Sequence, residues 1–193
     1  MFSKILIKLI DQAIVPAVLL LTVRLVSIVL VSYQMNIPFS ISKAGFIFGS
    51  TQQYVIVNSY SILAMIIALS LGIFYNLTKA FVFHSSHITP QATAKIFSMK
   101  LSFFIQNSYD LYSQGIIWLS YSFLLVLVAG IMALFGLSFG WVFSLGLGVT
   151  ILATVLFILD VEKEMRIEKL VEDLSYPEDE EETFVLKFGE DYV

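Results

Sequence analysis

The order of apolar and polar residues divides the chain into four long hydrophobic runs joined by more polar stretches. They cover about 13–33, 56–80, 116–135 and 139–159. Each run is close to the roughly 20 residues a helix needs to cross a hydrocarbon layer about 30 Å thick. The last two runs are the most regular, and the others are read around them. As one helix, Gly115 to Asp160 would be roughly 70 Å long, more than twice that layer, so the chain is expected to reverse at Gly136-Leu137-Ser138. Trp118 and Trp141 then fall near opposite interfaces, where indole rings prefer to sit. The pattern predicts an all-α integral membrane protein, with a four-helix transmembrane domain over 1–160.

The joining stretches carry patterns of their own. Gln34–Gln53 holds Pro38, one charge (Lys43) and an apolar patch of Ile41, Phe46, Ile47 and Phe48. Its apolar part is too short to span, so it is expected on the interface or dipping into it, with Ser40 and Ser42 as turn or cap residues. Between the second and third spans, Thr89-Pro90 has the form of a helix start. From there 90–107 predicts an amphipathic helix on the membrane surface. Lys95, Ser98, Ser102 and Gln106 form a thin polar strip against a wide apolar arc that includes Phe97 and Phe104, with Lys100 breaking the pattern.

After the fourth span, helical spacing continues over 161–174 and ends before Pro177. An acidic run, Glu178 to Glu182, follows, and then Thr183–Phe188, whose Phe184, Val185 and Leu186 are strand-like in composition. Two readings of that segment stand side by side: a strand added to the sheet edge of another protein, or a tail without structure of its own.

Composition supports the membrane reading and splits the charge. The 193 residues are 58% hydrophobic and 13% charged, against about a quarter charged in ordinary soluble chains. From Asp160 onward there are 13 acidic and 4 basic residues, net −9, while the remainder is net +5. An acidic cytosolic tail over 161–193 is therefore expected, able to recruit a cytosolic protein with a basic surface, and nucleic acid is not expected as a partner. Lys4 and Lys8 precede the first span and Lys79, Lys95 and Lys100 lie between the second and third, whereas the opposite side has only Lys43. The excess of basic residues predicts both termini in the cytoplasm and a cell-membrane location. The basic start runs into a long apolar segment without a nearby cleavage site, so the first span is expected to be uncleaved.

The candidate functional residues are few. Arg24 lies almost at the middle of the first span, where a charge costs anywhere from about 2.5 to 17 kcal/mol depending on how it is measured. Asp11 is about three and a half turns away on the same helix. Neutral partners on other spans are Asn58, Ser61, Ser120, Ser122, Thr150 and Thr154. Four partners stay open for Arg24: Asn58, Ser61 and backbone carbonyls within the chain, a carboxylate of another subunit, a lipid phosphate, or an anionic solute. Two rows of small residues, Ala64/Ala68/Gly72 (ending in Asn76) and Gly140/Ser144/Gly148, recur at four-residue intervals. Such rows let helices approach closely where lipid removes the hydrophobic drive between them.

Enzyme signatures are missing. Cys is 0, which removes disulfides, thiolate metal sites and thiol catalysis. His84 and His87 lack a third metal ligand nearby in sequence. No phosphate loop, His-Glu-x-x-His or intramembrane carboxylate pair occurs. Asn76-Leu77-Thr78 matches a glycosylation sequon on the side assigned as cytoplasmic and is read as chance. The expectation is a non-enzymatic scaffold or accessory subunit without a cofactor, in contact with membrane lipids and with other membrane subunits or its own copies. Two alternatives are a small oligomeric channel or transporter, for instance for an anion, and a lipid-organising protein acting through the 90–107 surface helix.

Overall fold

The computed structural model describes residues 2–43, 45–83, 95, 98, 99 and 108–175. Among these the chain is mostly helical: α1 (Phe2–Gln34), a hairpin of β1 (Phe39–Ser42) and β2 (Gly45–Phe48), α2 (Thr51–Phe83), α3 (Ser108–Leu134) and α4 (Gly140–Ser175). Four stretches are long and apolar enough to cross a membrane: Ile7–Gln34, Thr51–Phe81, Asp110–Leu134 and Gly140–Arg166. The shortest, at 25 residues, is about 37 Å long and exceeds the hydrocarbon layer. Every helix runs beyond the apolar stretch that marks it. Apolarity reports which residues leave water, whereas a helix continues as long as its backbone hydrogen bonds do. The chain divides into two compact units, 1–160 and 161–193.

Helix ends are set by local chemistry. Asn36 (φ 53°) and Gly136 (φ 68°) both stand in the left-handed region just past a helix. At the end of α1, Ile37 N donates to Ser32 O (2.8 Å) and Asn36 N to Tyr33 O (3.2 Å). At the end of α3, Leu137 N donates to Met132 O (2.8 Å) and Gly136 N to Ala133 O (3.0 Å). This paired pattern satisfies carbonyls that the last turn leaves free and needs a residue tolerant of positive φ, here Asn and Gly. At the start of α2 the Ser50 hydroxyl accepts from Gln53 N at 3.3 Å, so Ser50 is the cap rather than the expected Ser40 or Ser42.

The first connection is a two-stranded antiparallel hairpin with Phe39 opposite Phe48, Ser40 opposite Ile47 and Ile41 opposite Phe46. Phe39-Ser40-Ile41-Ser42 alternates apolar and polar residues, the period-2 signal of a strand. Cross-strand rings (Phe39–Phe46, 5.6 Å) and the Phe48–Tyr54 contact (6.0 Å) fasten the hairpin to itself and to the start of α2.

Helix α2 is central within the 1–160 unit. Its most apolar window is 44% enclosed by the protein, against 22%, 22% and 28% for those of α1, α3 and α4. Ile62, Ile66, Leu69, Ile73 and Leu77 recur on its buried faces and meet Leu20 of α1, Leu125 and Ala129 of α3, and Val142, Ala153 and Phe157 of α4. The outer faces remain apolar and exposed, as at Leu21, Leu71, Phe74, Leu127 and Leu152. A continuous apolar exterior of this kind is compatible with a membrane location.

Candidate functional site

Polar groups gather at two ends of the bundle. At the end holding the α3–α4 turn, Asn58 is 2% exposed and serves three elements at once. Its Oδ1 accepts from Arg24 Nη2 of α1 (2.5 Å), and its Nδ2 donates to the Leu137 carbonyl in the turn (2.6 Å). Arg24 Nη1 donates to the Ser61 hydroxyl and, at 3.5 Å, to the Asn58 carbonyl. On the next residue of α2, the buried Ser59 hydroxyl accepts from Phe139 N (2.8 Å) and donates to Val55 O (2.6 Å). The last helical pair is thereby tied by its turn to α2, and α1 is tied to the same α2 residues.

Arg24 remains partly exposed, and among the described residues no carboxylate forms an ion pair with it. Three of its five N–H donors are met by neutral oxygens, so its positive charge is partly solvated but not neutralised. Midway along the bundle, Thr150 Oγ1 donates to Gly146 O (2.8 Å), leaving the Ser122 hydroxyl as the donor to Thr150 (2.7 Å). This closes two buried hydroxyls on each other and joins α3 to α4.

At the opposite end Lys8 pairs with Asp110 at 2.5 Å, Ser113 donates to Gln12 Oε1 (3.2 Å), Tyr121 donates to the Ala13 carbonyl (3.1 Å) and Tyr112 to buried Asp160 (3.4 Å). Lys8 is half exposed, so Lys8→Ala is expected to cost under about 1 kcal/mol. A thermal-unfolding midpoint of the purified protein checks this. A cavity of about 400 Å³, with Lys8 and Gln12 in its lining, lies between α1, α2 and α3.

The residues singled out from sequence have distinct placements. Asn58 and Arg24 come together. Ala64, Ala68 and Gly72 are half buried on α2, and Gly72 is where the Trp118 ring of α3 lies: a Cβ there would come within 1.9 Å of it. Gly140, Ser144 and Gly148 are exposed on α4, and a Cβ on either glycine would meet nothing within 4 Å. The α4 glycine that a neighbouring helix crowds is instead buried Gly146, against Ile66. Lys95 is exposed, and its carbonyl accepts from Ser98 and Met99. The rest of the 90–107 segment, with Phe97 and Phe104, lies outside the described residues, as do His84, His87, Phe184, Val185 and Leu186. Among the described residues no three His, Cys, Asp or Glu side chains gather at one place.

Sequence reasoning named Asn58 but not its grip on the turn, since no spacing rule links it to Leu137, 79 residues on. It also passed over the polar cavity. The signal available was that Asp11, Gln12, Asn76 and Gln114 all sit near one end of their helices.

The arrangement defines a mostly helical chain with four membrane-length apolar helices and polar groups concentrated at the ends. It matches no family model, no curated protein and no solved structure.

Proposed function

We propose that this chain is a multi-pass membrane protein that acts as a scaffold or accessory subunit of a membrane complex, packing with other subunits or with its own copies. The observation that carries this reading is the row Gly140, Ser144 and Gly148, left exposed and open along α4 while the chain's own packing uses Gly146. Small residues on a lipid-facing surface create a shallow groove for another helix backbone. The partly exposed, unneutralised Arg24 supports the same reading, because a carboxylate or phosphate beside it would lower the energy of the assembled state.

In this proposal both termini face the cytoplasm, following the excess of basic residues at that side. The acidic segment after Asp160, with Phe184, Val185 and Leu186, recruits a cytosolic protein with a basic surface. A channel or transporter is less well supported. Three of Arg24's N–H donors are engaged by Asn58 and Ser61, and Ser122 and Thr150 satisfy each other.

Purification in mild detergent from native membranes tests the proposal. The wild type is expected to come out with a stoichiometric partner or as a homo-oligomer. Gly140→Leu combined with Gly148→Leu is expected to lose that assembly without a change in abundance, since both positions are open in the single chain. A chain ending at Leu174 keeps the membrane assembly and loses the cytosolic partner. A wild type that is monomeric and alone overturns the reading.

A further inference from the structure

We propose that the cavity between α1, α2 and α3 is a binding site for the headgroup of a phospholipid carrying a primary ammonium, the phosphoethanolamine class. The cavity is lined by Lys8, Asp11 and Gln12 of α1, Tyr75 and Asn76 of α2, and Gln114 of α3, with Val15 and Trp118 on its apolar side. Its central observation is Asn76. This side chain belongs to a residue only 4% exposed, it lines the cavity, and among the described residues its amide makes no hydrogen bond. The enclosed side-chain polar atoms without a partner among the described residues are Ser32 Oγ and Gln53 Oε1, so the Asn76 amide opens into the cavity and offers both its donors and its acceptor to a ligand there.

The arrangement follows depth. Lys8, Asp11, Gln12, Asn76 and Gln114 lie within about two turns of the ends of the apolar spans that begin at Ile7, end at Phe81 and begin at Asp110. Val15, Trp118 and Gly72, against which Trp118 rests, lie about one turn further in. A site that is polar at the membrane end and apolar one turn deeper has the gradient of a headgroup and the start of its chains.

Charge selects the headgroup. Lys8 is committed to Asp110, which leaves Asp11 as the carboxylate at the cavity without an ion pair among the described residues. An ammonium matches it, and the carboxamide oxygens of Asn76, Gln12 and Gln114 accept the ammonium's protons. A quaternary ammonium has no protons to give them. The phosphate is met by the carboxamide N–H groups of Gln12, Asn76 and Gln114, which line the cavity. A purely anionic headgroup leaves Asp11 opposed by like charge.

The test uses the full-length protein reconstituted in nanodiscs of equimolar phosphatidylethanolamine, phosphatidylcholine and phosphatidylglycerol, then released into mild detergent for native mass spectrometry. The wild type is expected to retain phosphatidylethanolamine at least fivefold over either other lipid. Asn76→Leu, which replaces the amide by an apolar side chain, is expected to remove the preference. Asp11→Asn, at an exposed position that leaves the fold in place, is expected to bring phosphatidylethanolamine down to the level of phosphatidylcholine. Equal retention of the three lipids by the wild type overturns the proposal, as does full preference in Asp11→Asn. Binding of soluble phosphoethanolamine by lipid-free protein as tightly as the lipid overturns it too, since the occupant is then a soluble metabolite.

Discussion

Asn58→Ala is expected to be among the most destabilising single substitutions in the described part of the chain, with a loss on the order of 3 kcal/mol. A hydrogen bond to a charged group contributes about 1.5–3 kcal/mol, and a buried polar group left without its partner costs about 1–3 kcal/mol more. Both effects act here, because alanine removes the acceptor for Arg24 and the donor to the Leu137 carbonyl together. Arg24→Leu is expected to be milder, since it removes the charge whose burial needs compensation as well as the bond. It leaves Asn58 holding the turn. The double variant is expected to be less destabilised than the sum of the two, with a coupling of about 1 kcal/mol or more, because one partner's absence makes the other's loss cheaper. Reversible unfolding of the three variants in one detergent decides the matter. If Arg24→Leu is the more damaging single change, the arginine and not the asparagine is the hub.

Gly72→Ala is the second large effect. The added Cβ would stand within 1.9 Å of Cζ3 of Trp118 and 2.4 Å of Cη2, so the indole has to move or α2 and α3 have to part. Overpacking of this kind typically costs about 1–3 kcal/mol. The expected result is a lower unfolding midpoint together with a shift in Trp118 fluorescence. Because the chain has two tryptophans, a Trp141→Phe background isolates that signal. Trp118→Leu combined with Gly72→Ala is expected to recover most of the lost stability, since the shorter side chain vacates the space. A Gly72→Ala variant with unchanged emission and midpoint contradicts the close packing of the indole on α2. The same substitution reshapes the apolar side of the lipid cavity, so fluorescence and lipid retention are expected to change together.

The existence and number of the long apolar helices were legible in the residues themselves. The turn was legible too. Gly136 followed by two residues between apolar runs left little choice, because an apolar stretch of that length cannot cross a membrane as one straight helix. The hairpin at Phe39–Phe48 went unread although Phe39-Ser40-Ile41-Ser42 carried its alternation, because four residues are a weak signal beside the apolar patch around them. The last two spans stood out from sequence as the most regular pair, whereas α2 forms the centre. Regularity of an apolar run reports its fit to lipid and says nothing about how many neighbours surround it.

The candidate site divides in the same way. Arg24 announced itself by cost, since a guanidinium within an apolar run demands a partner wherever the helix is placed. Which partner is a matter of helix rotation and register. These are set by packing along all of α1 and α2, and they bring Asn58 and Ser61 to it. Small-residue rows show a similar ambiguity. Four-residue spacing defines a face but not what that face meets, so Gly72 turned out to receive Trp118 while Gly140 and Gly148 stayed open.

The sequence by itself determined what is local or follows from transfer energy: four apolar helices of membrane length, a reversal at Gly136, a split of charge at Asp160, and one arginine in need of compensation. Only the tertiary structure decided the central place of α2, the tie from Asn58 to the turn, the use of Gly146 rather than Gly140 and Gly148, and the cavity around Asn76. Each of these joins residues tens of positions apart. Their meeting depends on the summed packing of whole helices, and that sum has no signature in any single window of the chain.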